Sequence, residues 1–309
     1  MSHYLITGGA GFIGSHLADA LLAAGHQVTI IDNLSTGTRA NLPANAAFIE
    51  GDCGNPSLIA PLVHTVDGVF HLAAIASVQR SQEDWLATSR TNSLAAIALL
   101  EAIARRDSVI PFVYASSAAV YGNPDVPLVS EDTPTRPLTP YGADKCACEL
   151  HAGAARHVFG IPTLGMRFFN VYGPRQDPHS PYSGVISIFM DRLRHGAPIA
   201  IYGDGEQTRD FIYVGDVVTH LLAAMALLHQ RTPDQPVLNV CSGHSVSINT
   251  LVATMVALLG SSSSVLHQDA RAGDIRHSLG NPSQASGLLQ QRANVSLSEG
   301  LQMLMNEMN

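Results

Sequence analysis

Several features that would assign a protein to a familiar class are scarce in this sequence. Its four cysteines form no CxxC pair, which argues against a zinc-binding or disulfide framework and favours a reducing, cytoplasmic compartment. The fourteen histidines contain no HxxxH or HExxH spacing, so we expect no bound metal. No stretch reaches the roughly 18 apolar residues that a membrane-spanning helix requires, so we expect no membrane partner.

Positive charge is scarce as well. The formal net charge of −8 argues against a nucleic-acid partner, because such proteins bind by neutralising phosphates. The basic residues form no block that would bind a membrane surface, although a local pocket for one diphosphate is compatible with this charge. Residues 3–7 lead directly into a glycine-rich turn, so we expect no signal peptide before them.

The first half of the chain alternates short apolar runs with segments of helical periodicity. The apolar runs predict strands at residues 3–7, 27–32, 47–50, 68–73, 111–116 and 163–169. Helical spacing predicts helices at residues 12–24, 85–105 and 142–159. Strand–helix–strand units of this length require right-handed crossovers. The predicted fold class is therefore α/β, with a doubly wound parallel sheet covered on both faces.

The second half is less regular. Residues 173–184 are rich in proline, aspartate and serine and predict a long loop, a feature that is more often functional than idle. Helices are predicted at residues 186–194, 215–228, 247–259 and near 298–307. We predict a Rossmann domain over residues 1–169, to which the chain returns around 210–241, and a smaller mixed α/β domain over 170–309.

Three glycines, Gly8, Gly11 and Gly14, lie between the first predicted strand and the first predicted helix. Such a turn lets the backbone approach a pyrophosphate, and the N–H groups at the start of the helix attract phosphate oxygens. The second predicted strand ends at Asp32, whose carboxylate can accept hydrogen bonds from a ribose diol but would repel a 2′-phosphate. The sequence thus predicts a dinucleotide site that favours NAD over NADP, with Asp52 on the adenine side.

A second group of residues has the chemistry of a proton-transfer site. Tyr141 and Lys145 are four residues apart in a predicted helix, which puts both side chains on one face. A phenol is a poor base at neutral pH, but a neighbouring ammonium and an oxidised nicotinamide ring would both favour the phenolate. Ser117 follows the fifth predicted strand, at the sheet edge where open parallel sheets bind ligands, and its hydroxyl could bridge a substrate and Tyr141.

Taken together, these motifs resemble those of the extended short-chain dehydrogenase/reductases, and within them the branch of UDP-glucose and UDP-N-acetylglucosamine 4-epimerases. In the family's order the chain contains GGAGFIGSHL, DNLSTG, FHLAA, SSAAVYG, YGADK, RFFNVYGPRQDP, GDGEQTRDFIYV and RAGDIRHS. These motifs cover almost the whole chain, and the last three are typical of members that bind sugar nucleotides. The resemblance implies that residues 1–169 bind NAD and that residues 170–309 bind a nucleotide sugar.

The resemblance also implies roles for individual residues around the cofactor. Phe12 and Ile13 would flank the pyrophosphate, and Cys53 would join Asp52 at the adenine. The adenosine ribose would be lined by Asp32, Asn33, Ser35, Thr36 and Gly37. Leu72, Ala73 and Ala74 would border the cofactor, with Asn92 behind them and Phe169 against the nicotinamide. Ala76 departs from the pattern, because many epimerases carry a lysine near the cofactor phosphates there.

On the substrate side the resemblance implies that Ser117 is the catalytic hydroxyl, Tyr141 the acid/base, and Lys145 the group that binds the nicotinamide ribose and tunes Tyr141. The nucleotide diphosphate would be held by Asn170, Arg209, Arg271 and Asp274. Residues 183–189, which include Val185, would hold the uracil. Arginine suits a diphosphate because its planar fork can engage two oxygens.

These roles predict C4 epimerisation of a UDP-hexose through a transient 4-ketose. A dehydratase or decarboxylase would need acidic groups beside the catalytic hydroxyl, where this chain has Ala118 and Ala119. Another nucleotide-sugar dehydrogenase or reductase, or a catalytically silent NAD-binding regulator, is the alternative. In the family a bulky tyrosine at the position of Ser278 leaves room for plain hexoses only, so Ser278 favours UDP-GlcNAc/UDP-GalNAc, with UDP-Glc/UDP-Gal also accepted. The resemblance further implies a homodimer formed through the helices at 85–105 and 142–159.

Overall fold

The computed structural model describes residues 1–179, 184–270 and 275–307. Its strands, in chain order, are β1 His3–Thr7, β2 Gln27–Asp32, β3 Ala47–Glu50, β4 Gly68–His71, β5 Phe112–Ser117, β6 Thr163–Phe168, β7 Asn170–Tyr172, β8 Ile199–Tyr202, β9 Thr208–Tyr213, β10 Val237–Val240, β11 Ser245–Ser247 and β12 Val265–Gln268.

The α-helices, numbered in the same way, are α1 Phe12–Ala23, α2 Pro56–His64, α3 Val78–Glu83, α4 Trp85–Ser89, α5 Ala95–Ala104, α6 Pro140–Phe159, α7 Val185–Arg194, α8 Val214–Gln230, α9 Ile248–Leu259, α10 Ser283–Leu289 and α11 Leu297–Glu307. Over the described ranges, none of them combines the length and the apolar composition that crossing a membrane would require.

A seven-stranded parallel sheet forms the centre of the larger part of the molecule, in the order β10-β6-β5-β4-β1-β2-β3. From β1 the strand order runs outward in both directions, through β2 on one side and through β4 on the other. The carboxyl ends of β1 and β4 therefore flank a topological switch point, where doubly wound sheets bind ligands. The predicted fold class, a Rossmann-type parallel sheet with a smaller C-terminal region, is confirmed.

Both faces of this sheet are buried, which explains why its strands are almost continuously apolar. In β1, Ile6 belongs to a core cluster that includes residues of α1 and α8, whereas Leu5 belongs to a second cluster with residues of α2, α5 and α6. Successive side chains of a strand alternate between faces, so the same strand contributes to both clusters. The sheet is thus fixed from both sides, and its carboxyl edge is a rigid platform.

The smaller region has its own core. β7 and β11 flank β9 in a three-stranded sheet, and β8 pairs with β12. A separate cluster of buried residues joins these strands to α7, α9 and α11, with Met190, Leu251 and Leu301 fully buried. Between β9 and β11 the chain returns to the large sheet, where β10 pairs with β6.

The predicted helix over residues 85–105 is interrupted in the structure. A π-helical turn, Arg90–Leu94, separates α4 from α5. Asn92 lies in this turn and is fully buried, with its amide bonded to both backbone groups of Ile75 and to the carboxylate of Asp144. The extra residue in the turn lets Asn92 face the sheet edge, and such bulges are frequent at functional sites.

The sequence did not predict several short elements. They are α2, α3, α10 and the six strands β7 to β12. For α2 a signal was present, because Asn55 caps the helix through the backbone N–H of Ser57 and Pro56 occupies its first turn. The strands after β6 are three to six residues long. They lack the regular alternation with helices that predicted the first six, since among the described residues no helix separates β8 from β9 or β10 from β11.

His71, at the end of β4, is a buried titratable group beneath the switch point. Its Nδ1 lies 2.8 Å from the hydroxyl oxygen of Thr7, and its Nε2 is buried without a hydrogen-bond partner among the described residues. Burial, and secondarily the ammonium of Lys145, lower the pKa of His71 to about 3. The imidazole is therefore neutral in the folded protein at ordinary pH.

Folding lowers the pKa of His71 from an ordinary 6.5 to about 3. Between these two pH values the unfolded chain therefore binds a proton at His71 that the folded protein does not bind. We predict that this group lowers the free energy of unfolding by up to about 1.4 kcal/mol per pH unit as the pH falls through this window. His71→Asn keeps an acceptor for Thr7 and removes the titration. Urea unfolding at a series of pH values between 7 and 4 should show that the free energy of unfolding falls less steeply with decreasing pH in the variant than in the wild type. An equal pH dependence in the two proteins would contradict the low pKa assigned to His71.

Candidate active site

At the switch point, the backbone of the glycine turn between β1 and α1 lies close against the backbone that follows β4. Gly8 has a φ of +73°, and a Cβ added there would lie 2.7 Å from the backbone nitrogen of Ala73, which follows β4. A Cβ on Gly14 would overlap the backbone oxygen of Gly8. Gly11 precedes α1 and offers no side-chain cap to its first N–H groups. The turn is therefore a close-packed cradle whose open helix end suits a pyrophosphate.

Asp32, at the end of β2, stands beside this cradle. Its carboxylate accepts the backbone N–H of Ala10 at 3.0 Å and that of Leu34 at 2.8 Å, and the residue is 9% exposed. Two fixed donors hold the carboxylate in place, while its remaining lone pairs can accept a ribose diol. A 2′-phosphate would meet this negative charge directly. The residues present therefore fit NAD.

Lys145 and Tyr141 lie one helical turn apart at the start of α6. Pro140 occupies the first turn, and the hydroxyl of Thr139 caps the helix by accepting the N–H of Gly142 at 3.1 Å. Both side chains are buried: Tyr141 is 9% exposed and Lys145 is 1% exposed. The Lys145 ammonium donates to the carbonyl of Ala115 in β5 at 2.8 Å and lies 5.9 Å from the centroid of the Tyr141 ring.

Ser117 is the last residue of β5 and caps the 3₁₀ turn Ala118–Tyr121, with its hydroxyl oxygen accepting the N–H of Ala119 at 3.1 Å. None of the described residues accepts the hydroxyl proton of Ser117, which can therefore be donated to a ligand. Since Ala115 lies two residues before Ser117 on the same strand, the bond from Lys145 ties α6 to the strand that presents Ser117.

Most of the residues predicted to bind the cofactor or the substrate line one cavity of about 560 Å³. The predicted residues that line it are Gly8, Gly11, Phe12, Ile13, Gly14, Asp32, Asn33, Ser35, Thr36, Leu72, Ala73, Ala74, Ser117, Tyr141, Lys145, Phe169, Asn170, Arg209 and Ser278. The cavity therefore extends from the glycine turn, past the start of α6, to the smaller region.

Arg209 is the cationic side chain that β9 contributes to the cavity. Its guanidinium donates to its neighbour's carbonyl, Thr208, at 2.8 Å and to that of Ile275 at 2.7 Å. The carbonyls hold one edge of the planar group against the wall. An arginine held in this way is suited to binding a diphosphate.

The structure does not bring every predicted residue to the cavity wall. Those that do not line it are Gly37, Asp52, Cys53, Asn92 and Val185. Asn92 instead supports the wall from behind, through its bonds to Ile75. Cys53 is packed into the core cluster beside α2 and α5, and burial raises the pKa of its thiol to about 12.

The remaining three of these have local backbone roles. Gly37 packs against Ala10, since an added Cβ would lie 2.9 Å from the carbonyl carbon there. Asp52 accepts the N–H of Gly54 at 2.8 Å. Val185 begins α7, and its neighbour Gly184 lines the cavity in its place. The predicted diphosphate contacts Arg271 and Asp274, and the uracil-segment residue Ser183, lie outside the described residues.

The cavity also has lining residues that sequence reasoning missed. Prominent among these are Ser116, Tyr121, Gln176 and His277. Tyr121 follows Ser117 by one turn in the SSAAVYG motif, which was a usable signal. Gln176 and His277 reach the wall from loops, and the packing that brings them there leaves no periodic pattern in the sequence.

Comparisons with known proteins agree with this geometry. Residues 4–241 match the NAD dependent epimerase/dehydratase family. The chain is 36% identical over 306 residues to the UDP-glucose 4-epimerase of Mycolicibacterium smegmatis, a match that covers 96% of this chain and 95% of that protein. The chain therefore belongs to the NAD dependent epimerase/dehydratase family, as its motifs predicted, and it is an NAD-dependent enzyme.

Solved structures are similar over almost the full length. The UDP-glucose 4-epimerase of Thermotoga maritima, in complex with UDP-glucose, superposes with a TM-score of 0.94 at 34% identity, covering 99% of this chain and 98% of that one. The UDP-N-acetylglucosamine 4-epimerase of Methanobrevibacter ruminantium, in complex with UDP-N-acetylmuramic acid, gives 0.91 at 35% identity, covering 99% of each chain.

We predict that Gly14→Ala weakens dinucleotide binding, because the new methyl group must displace the backbone of the glycine turn. A loss of about a hundredfold in affinity for NAD corresponds to about 2.7 kcal/mol and is the size expected for a distorted cradle. Isothermal titration of NAD measures it. Gly153→Ala, within α6, is the control, since its added methyl group meets nothing within 4 Å. Equal NAD affinity in both variants would contradict the prediction.

Proposed function

We propose that this protein is a UDP-hexose 4-epimerase that inverts the C4 hydroxyl through a transient 4-ketose. The observation that carries the proposal is that one cavity is lined at once by the glycine turn and Asp32, by the proton-transfer residues, and by Arg209 and Ser278. A cofactor and a nucleotide sugar can thus meet beside Tyr141. The similarity to epimerases of UDP-sugars supports the same assignment.

Each polar residue has a distinct part in this reaction. The glycine turn and Asp32 would hold NAD, which would supply the hydride acceptor, and later the hydride donor, for C4 of the sugar. Tyr141, as phenolate, takes the proton from O4 directly or through the hydroxyl of Ser117, and returns it later. Lys145 holds its ammonium 5.9 Å from the centroid of the Tyr141 ring, where its charge would stabilise the negative charge that develops on the phenol oxygen during proton transfer. Arg209 retains the diphosphate, so that the ketose can turn over without leaving.

The composition of the wall disfavours the related eliminations. Among the described residues of the lining, Asp32 alone carries a carboxylate, and it belongs to the cofactor end. Ala118 and Ala119, which follow Ser117, line the cavity with methyl groups. A dehydratase would need an acid/base pair beside the catalytic hydroxyl to remove water from the 4-ketose. The second candidate, a nucleotide-sugar reductase, would consume added NADH, whereas an epimerase needs no added reductant.

We also propose that the enzyme accepts UDP-GlcNAc/UDP-GalNAc in preference to UDP-Glc/UDP-Gal. Overall similarity does not discriminate between them, since the two solved relatives are 34% and 35% identical to this chain. Ser278 does bear on the choice. It lines the cavity, and its backbone N–H donates to the carbonyl of Thr208 at 3.2 Å, which fixes its position next to β9. A side chain this small leaves volume for a 2-acetamido group.

We further propose that two copies of the chain pair through α5 and α6. Large apolar side chains are exposed on α6: Leu150 is 75% exposed, Val158 66% and Phe159 55%. Beside them, a groove of about 350 Å³ between the two helices is lined by Leu100, Ala104 and their neighbours. Exposed apolar side chains of this size are typical of an interface between subunits, and a matching helix pair would bury them.

We predict that Tyr141→Phe slows epimerisation by on the order of a hundredfold to ten-thousandfold, because it removes the acid/base group. The assay incubates UDP-GlcNAc or UDP-Glc with the protein, adds no reductant, and follows the C4 isomers by NMR. Tyr4→Phe is the matched control, since the Tyr4 hydroxyl contacts His229 and does not line the cavity. Full activity of Tyr141→Phe would refute the proposed mechanism.

Ser278→Tyr should lower kcat/KM for the acetamido pair about tenfold or more relative to the plain pair, because the ring fills the space that the acetamido group needs. The four nucleotide sugars are compared in the same NMR assay. Ser278→Ala changes little volume and should keep the ratio between the pairs. If tyrosine depresses both pairs equally, Ser278 does not set the preference.

Leu150→Glu should convert a dimer into monomers, because a charge at the centre of an apolar interface loses its hydration on pairing. Sedimentation velocity measures the mass directly. Met303→Glu, on α11, places the same charge on a side chain that is 43% exposed outside this surface and should leave the mass unchanged. A wild-type protein that sediments as a monomer would rule out the pairing.

A further inference from the structure

A buried ion pair lies directly behind the catalytic residues. Arg167, in β6, and Glu149, in α6, form a two-pronged pair: the guanidinium Nε lies 2.8 Å from one carboxylate oxygen and the terminal nitrogen 2.7 Å from the other. Arg167 is 5% exposed, and the side chain of Glu149 is 11% exposed. Neither residue lines the cavity, and the proton transfers described above do not use them.

The same carboxylate also binds the strand that carries Ser117. The hydroxyl of Ser116 donates to Glu149 at 2.5 Å. Along α6, Glu149 lies four residues after Lys145 and eight after Tyr141, so the three side chains share one helical face. Glu149 therefore ties the catalytic helix to both β5 and β6, one helical turn beyond the bond between Lys145 and Ala115.

A second set of bonds in this network reaches the cavity wall at Tyr121. Arg167 donates to the hydroxyl of Tyr121 at 2.8 Å and lies 4.7 Å from the centroid of its ring. That hydroxyl donates to the side-chain oxygen of Asn239, in β10, at 2.6 Å, and the backbone N–H of Asn239 donates to Glu131 at 2.8 Å. Tyr121 lines the cavity. The guanidinium of Arg167 thus links Glu149 of α6 to Tyr121 on the cavity wall.

We propose that Glu149 and Arg167 are positioning residues, which hold Ser117 and Tyr141 at the separation that proton transfer requires. The inference rests on the proposed epimerase function and adds a role for two residues outside the cavity. Stability alone does not account for the pair, because buried ion pairs are often replaced by apolar residues without loss of stability. Apolar residues could not reproduce the directional hydrogen bonds that connect α6 to Ser116 and to Tyr121.

The test is the double variant Glu149→Met with Arg167→Met, which removes both charges together and leaves no unpaired one in the core. We expect kcat for the nucleotide sugar to fall roughly tenfold to a hundredfold, as small displacements of reacting groups do. We expect KM, the Kd for UDP by calorimetry and the amount of bound dinucleotide to change less than about twofold, a factor too small for a lost binding contact. Arg167→Lys, which keeps the charge, should recover part of kcat relative to Arg167→Met.

Asp216→Asn is the matched control. Asp216 is a carboxylate on α8 that is 4% exposed, accepts the backbone N–H groups of Asn294 and Val295 at 3.1 and 3.0 Å, and does not line the cavity. It should lower the Tm and leave kcat unchanged. A folded double variant with wild-type kcat, or one in which kcat follows Tm as it does in the control, overturns the positioning role. A wild-type protein that interconverts no nucleotide sugar overturns the proposed function first, and the positioning role with it.

Discussion

The buried ammonium of Lys145 is the constraint on which the site depends. A charge that is 1% exposed must find a partner, and its described hydrogen bond goes to the carbonyl of Ala115. That bond requires α6 to pack against β5. Tyr141 then lies one turn before the ammonium, and Ser117 lies two residues beyond the carbonyl. The contact between α6 and β5 therefore holds Tyr141, Lys145 and Ser117 together.

The parallel sheet was predictable because its strands are buried on both faces. The bounds predicted for the first three strands agree with β1, β2 and β3, each of which is an apolar run followed by a turn. The interruption between α4 and α5 was not predictable. It depends on the bonds that Asn92 makes with Ile75 and Asp144, which only the folded chain brings together.

In the candidate site, too, the features with a local sequence signal were predictable and those that depend on tertiary contacts were not. The glycine turn, Asp32 and the Tyr141–Lys145 pair were readable because each occupies a fixed place relative to a strand or helix. Some residues whose roles were implied only by the family resemblance do not line the cavity. Cys53, for example, packs into the core beside it. The network around Arg167 left no local signal, because its partners come from β5, α6 and β10.

The proposed mechanism oxidises C4 and then reduces it again within one cavity. The fate of the C4 hydrogen distinguishes this mechanism from any mechanism through a carbanion at C4. In the proposed mechanism the hydrogen on C4 leaves and comes back without exchanging with water, while only the proton on O4 passes through Tyr141. The most direct measurement is epimerisation of UDP-GlcNAc or UDP-Glc in D₂O, with C4 followed by NMR. Products that keep their original hydrogen at C4 are predicted. Incorporation of solvent deuterium at C4 would contradict the mechanism.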